Sequence, residues 1–194
     1  MNSNRHYYFS VGIDDIPWDR VVHWYGRATN FPAYFRDAVA GHLMAQKAAI
    51  LNIGGNIEHQ DGIIMATPFS LLFLFRLLGF RHEHRRLITE QILAVAKATR
   101  FQLEGFRNKE KPQVPGDIRE LLSEAQLWPP FVSEEQDEMN WEEYNFGPAY
   151  YSWLYYTADI LLQCAVLLEQ ASVQEEDIAT RVLEEISGIA ACFG

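Results

Sequence analysis

Residues 69–78, FSLLFLFRLL, are apolar on nearly every side of a helix. Thr67-Pro68 reads as an N-cap followed by a proline at the first helical position, and Gly79 closes the run. A helix with no polar face has to be surrounded. The rest of the chain must therefore supply apolar stripes to cover it, which demands a packed domain with this element at its centre.

Those stripes occur at helical spacing. Pro17 precedes Trp18, Val21, Val22 and Tyr25, ending at Gly26, and Asn30-Phe31-Pro32 opens a second helix through Ala40. A third is predicted from His42 to Ile53, with Gly54-Gly55 loosening or ending it. A long helix, Glu83–Glu104, carries Leu87, Ile88, Ile92, Val95, Ala96, Thr99 and Leu103 on one side. Residues 107–116, RNKEKPQVPG, form the clearest loop. Asp117 caps a short helix, Ile118–Leu127, which Trp128-Pro129-Pro130 breaks. Ser133–Tyr144 reads as a short charged helix packing on one side. Gly147-Pro148 opens an apolar helix from Ala149 to Gln170. Ser172 and Glu175 fit a capping box for the last helix, Gln174–Ala191, with Ile178, Val182, Ile186 and Ile189 as its stripe. Strand alternation is nearly absent, and Tyr7–Val11 is the best strand candidate. The expectation is one all-α domain over residues 1–194, a stack of eight or nine helices with no substantial sheet. At this length roughly 70% of the unfolded surface can be buried without staples.

Two segments resemble a bacterial family of HEAT-like helical-repeat proteins. Ile16–Pro32, IPWDRVVHWYGRATNFP, is similar to that family's opening motif through Trp18, Tyr25, Gly26, Ala28 and Pro32. Ala48–Leu78 is similar to a second motif through Asn56, His59, Gln60, Ala66 and Thr67, and departs from it at Asp61-Gly62. The resemblance is confined to residues 1–80. It implies an α-α superhelix and a binding scaffold, with no activity attached. On their own chemistry, Asn56, His59 and Gln60 fall where a helix ends, where such side chains satisfy orphan backbone groups.

Signals for chemistry are weak. His82-Glu83-His84 has i, i+2 spacing, which splays the rings on a helix, whereas zinc pairs need i, i+3 or i+4. His23 lies beside an apolar stripe and reads as a hydrogen-bonded interfacial residue. No serine sits in a nucleophile elbow, and Gly54-Gly55 lacks the strand and Lys-Ser/Thr of a phosphate loop. Cys164 and Cys192 read as reduced thiols, Cys164 in the core. No catalytic, metal or cofactor site is expected, so the chain reads as a non-enzyme. The N-terminus MNSNRHYYFSVGIDD holds no secretory apolar stretch. Asp159 and Gln163 interrupt Ala149–Leu168, the segment nearest in length to a membrane span. A cytoplasmic location without a membrane is expected.

Charge is uneven. Residues 1–80 are neutral, 81–111 carry a net +4, and 112–194 carry a net −14. That acidic end would repel nucleic acid and attract a basic protein. Within it, aromatics and acids interleave: Trp128, Phe131, Glu134, Glu135, Asp137, Glu138, Trp141, Glu142, Glu143 and Tyr144. Aromatic anchors with an acidic rim suit a protein-binding surface. A charged flap with its rings tucked into the core is the plainer alternative. The leading expectation is an immunity protein that neutralises a basic toxin by direct binding. The alternatives are a HEAT-like scaffold or regulator with no toxin, and a small-molecule binder or enzyme with a helical cavity.

Overall fold

The computed structural model describes residues 3–79, 83–143, 145–171 and 176–193. It is all-α apart from two very short hairpins. The helices are α1 (Ser3–Ser10), α2 (Phe31–Ala40), α3 (Leu43–Ile57), α4 (Ala66–Gly79), α5 (Arg85–Phe106), α6 (Glu134–Glu143), α7 (Gly147–Ala171) and α8 (Glu176–Phe193). The hairpins pair β1 (Val22–His23) with β2 (Gly26–Arg27), and β3 (Glu58–His59) with β4 (Gly62–Ile63). Both are antiparallel. Among the described residues, no helix is long and apolar enough to cross a membrane.

Helix α4 is the centre. From Ala66 to Leu78 every residue is buried except Arg76, which is half-buried. Helices α7, α5, α3 and α1, together with β1, pack against it. Arg76 is tolerated there because its guanidinium donates to the backbone carbonyls of Val11 and Tyr8 and lies 5.0 Å from the Phe73 ring centroid. Burial pushes its pKa below the usual arginine value. Helix α5 covers α4 with the stripe read from sequence, and α8 packs on α5 through buried Ile178, Val182, Ile186 and Ile189. The capping box at Ser172 and Glu175 lies outside the described residues.

Four elements differ from the sequence reading. Tyr7–Val11 is no strand, because Asn4, Tyr8 and Val11 are buried at i, i+4 and i+7, a helical spacing. The Tyr8 hydroxyl donates to Asp159 Oδ2 at 2.5 Å, which seats α1 on α7. The helix expected after Pro17 is instead a single 3-10 turn, Trp18–Arg20, followed by β1–β2. Gly26 sits at φ +126°, a conformation that side chains resist, so the helix cannot continue and the chain reverses. Helix α3 runs through Gly54-Gly55 to Ile57. Gly54 marks a helix crossing rather than a stop: an added Cβ would run into the side-chain amide of Gln91 on α5. The helix expected over Ile118–Leu127 is a 3-10 turn, Ile118–Leu122, with the Asp117 carboxylate capping Arg119 N.

Thr67, read as an N-cap, instead lies inside the first turn of α4, which begins at Ala66. Its hydroxyl donates to Ile57 O at 2.6 Å and accepts from Ile64 N at 2.8 Å, closing the β3–β4 hairpin between α3 and α4. Thr67→Val keeps the shape and strands both buried backbone groups. It is expected to lower unfolding free energy by about 2–3 kcal/mol in urea titrations at unchanged m-value.

Candidate functional site

The two hairpins meet. Trp24 N donates to Asn56 O at 3.2 Å, the Tyr25 hydroxyl lies 3.3 Å from His59 Nδ1, and Gly62 leaves room for the Trp24 ring. Thus the residues of the two motifs, Tyr25, Gly26, Asn56, His59 and Gln60, come together at one end of the molecule. Gln60 and Asp61 make the second turn, at φ 51° and 58°. Asn56 contributes its backbone carbonyl, and Thr67 meets the orphan groups at the end of α3.

Helix α6 lies against this end. It has six carboxylates and no lysine or arginine in ten residues, and none of its residues is buried. Ser133 starts it by accepting Gln136 N through Oγ at 3.2 Å. Glu134, Glu135 and Asp137 fill the first turn, where the helix dipole favours negative charge. What holds it to the body is Arg27 on β2. Its Nε and Nη2 grip the Asp137 carboxylate at 2.5 and 2.6 Å, while Nη1 and Nη2 also donate to Asp19 O and Pro129 O. The guanidinium also lies 5.4 Å from the Phe131 ring centroid. An aromatic cluster adds to the clamp: Trp141 is 5.6 Å from Trp128 and 5.2 Å from Phe146, ring to ring.

The ten candidate residues therefore divide. Trp128 is core, at 2% exposure, fixed by backbone bonds with Arg20. Asp137 is spent on Arg27, and Trp141 is half-buried beneath the helix. Those three belong to the flap's attachment. Phe131, Glu134, Glu135, Glu138, Glu142 and Glu143 stand exposed, and Tyr144 lies outside the described residues. Sequence reasoning overlooked Arg27 and two exposed apolar residues of the same face, Val132 and Met139. For Val132 and Met139 the signal was there: both are apolar beside carboxylates with no covering stripe at helical spacing.

The acidic half of the chain is not uniformly free. Asp117, Glu124, Asp137, Asp177 and Glu185 pair with Arg119, Arg20, Arg27, Arg86 and Arg100. The basic segment 81–111 thus meets α8, and part of both charges is neutralised internally. Among the described residues, Glu134, Glu135, Glu138, Glu142 and Glu143 form no ion pair, which puts five unpaired carboxylates on α6.

Between β1–β2 and α6 lies a groove of about 310 Å³, walled by Trp24, Tyr25, Trp128 and Trp141, with Asp137 and Glu138 on the helix side. The indole nitrogen of Trp24 is buried and has no hydrogen-bond partner among the described residues. No group of three or more metal-ligating side chains occurs among them either. The Cys164 thiol is pushed up to about 12 by burial and stays protonated at neutral pH. No family model, no curated protein and no solved structure matches this chain.

Two groups here titrate away from their ordinary values. The Arg27 hydrogen bond holds the Asp137 carboxyl below 3.8. Burial pushes His23 down to about 4, with its Nδ1 accepting Tyr25 N. A depressed carboxyl stabilises the fold above its unfolded value and loses that contribution as pH falls through the folded one. Asp137→Asn is accordingly expected to cost about 1–3 kcal/mol at neutral pH, a hydrogen bond to a charged group, with the difference from the parent vanishing in strong acid. It is also expected to open α6 to limited proteolysis.

For His23 the unfolded chain binds the proton first, so stability declines as pH drops from about 6.5 toward 4 and levels below that. His23→Gln is expected to flatten that portion of the stability curve, measured by urea titration across pH 4–7.

Proposed function

We propose that this chain is a non-enzymatic cytoplasmic binding protein whose α6 face occludes a basic protein, as an immunity protein does with a toxin domain. The observation that carries the reading is the gathering of unpaired carboxylates on a helix with no buried residue. Beside them stand apolar side chains that solvent would not select: Phe131 is 59% exposed, Val132 76% and Met139 51%. Interfaces combine such apolar contacts with a charged rim, and surface charge steers the encounter. A flap whose only task was to cover the core would carry more of an apolar underside than the half-buried Trp141.

The HEAT-like resemblance of residues 1–80 fits the same reading. Helix pairs α2/α3 and α4/α5, with the β3–β4 hairpin between α3 and α4, are the kind of scaffold that presents a binding end. We infer a superhelical, HEAT-like arrangement as the ancestral frame.

The test is co-expression with the neighbouring genes of the native host. Growth rescue against an adjacent toxin, with a complex isolated by size exclusion, is expected. No rescue and no complex with any neighbour's product would remove the reading. In a positive complex, charge reversal at Glu134, Glu135, Glu142 and Glu143 together is expected to leave the unfolding midpoint within a few degrees. It should weaken binding at least ten-fold at low salt and less at high salt, by calorimetry.

A further inference from the structure

The groove between the β1–β2 hairpin and α6 has an unusual lining. Three indoles and a phenol, from Trp24, Trp128, Trp141 and Tyr25, make its walls. Apolar rings of this kind offer negative faces, which attract a cation brought over them. Two carboxylates join them on the helix side. Asp137 is already neutralised by the bidentate grip of Arg27, which also borders the groove. Glu138 is exposed and forms no ion pair among the described residues. Arg27 and Asp137 cancel, so Glu138 leaves the groove with one uncompensated negative charge against aromatic walls.

Size narrows the occupant. About 310 Å³ is at the small end of ligand cavities, ~300–1,000 Å³, which fits one long side chain rather than a folded segment. Shape and charge then agree. The walls suit a methylene stem, the ring faces and Glu138 suit a terminal cation, and the exposed carboxylates of α6 suit the chain that bears it.

We propose that this groove is an aromatic anchor pocket for a single lysine or arginine side chain of the partner protein, with Trp24, Tyr25 and Trp141 contacting its stem and cation and Glu138 neutralising its charge. The assignment rests on the reading of α6 as a surface for a basic protein, and it names the point at which that partner is held. A central side chain sunk in a desolvated pocket, surrounded by weaker charged contacts, is the usual energetic pattern of a tight interface.

The experiment needs no partner. Uniformly ¹⁵N-labelled protein is titrated with Nα-acetyl-lysine methylamide and Nα-acetyl-arginine methylamide, and the indole N–H resonances of its five tryptophans are followed. The neutral norleucine analogue, sodium chloride at matched ionic strength and choline serve as comparators. The Trp24 and Trp141 resonances are expected to shift saturably with at least one cationic derivative, while those of buried Trp18 and Trp153 stay in place. Glu138→Gln, an exposed position, is expected to weaken the shift about three-fold or more, and Tyr25→Ala about two-fold or more, since each removes one contact to the cation. Both substitutions are on solvent-facing residues, so an unchanged spectrum elsewhere certifies the fold.

No saturable indole shift would overturn the pocket, as would equal binding of the norleucine analogue. Tighter binding of choline than of either amino-acid derivative would assign the groove to a small organic cation and also overturn the proposal. Silent indoles alongside successful toxin neutralisation would remove the anchor and keep the partner reading. Shifting indoles without any neutralisation would do the reverse.

Discussion

Burial of α4 on all sides is the constraint from which the arrangement follows. Twelve of its fourteen residues are buried, and their transfer from water can only be completed by neighbours on every side. Helices α1, α3, α5 and α7 take those places. Helix α8, which does not need to reach α4, covers the back of α5 with its isoleucine and valine stripe. The single charge on α4, Arg76, is accommodated by giving it two carbonyl acceptors from the N-terminal segment. The hairpins fill the corner between α3 and α4, with Thr67 satisfying the two backbone groups that the sharp turn would leave stranded.

Helix α6 is organised by different physics. None of its side chains is fully buried, so hydrophobic transfer, through half-buried Trp141, is a small part of what keeps it helical. A serine cap, carboxylates at the dipole's positive end, the Trp141 ring against Trp128 and Phe146, and one bidentate ion pair to β2 hold it. An element held by so few contacts sits at the low end of local stability, and functional surfaces are commonly drawn from there. The same arrangement leaves its remaining carboxylates without internal partners, whereas Asp177 and Glu185 of α8 pair with Arg86 and Arg100 of α5.

Much of the fold was legible because long helices announce themselves. The apolar positions of α5, α7 and α8 recur at the helical period, and proline and glycine bracket α4. The first 30 residues were misread for a physical reason: the stretch Trp18–Tyr25 carries helical spacing by coincidence, and Gly26 decides the outcome through a backbone conformation that no pattern of hydrophobicity records. Gly54 shows the converse, a glycine kept for close approach of Gln91 rather than for a break. At the site, the interleaving of rings and acids was visible, but its division was not. Trp128, Trp141 and Asp137 look like Phe131 and Glu138 in sequence. Partners distant in the chain make the division: Arg27, 110 residues from Asp137, and Arg20, 108 residues from Trp128.

The position of α1 carries a kinetic implication. Asn4 bonds Gly116 and Ile118 across 112 and 114 residues of chain, and Tyr8 reaches Asp159 across 151. Helical proteins usually fold quickly because their contacts are local. Here α1 can lean on α4 through Arg76, but its bonds to Gly116, Ile118 and Asp159 close much longer loops, at a larger entropic cost. On a ribosome, α1 would meet α4 first and finish settling only when the chain through Asp159 had followed, and the apolar rod of α4 would emerge with part of its covering still unmade.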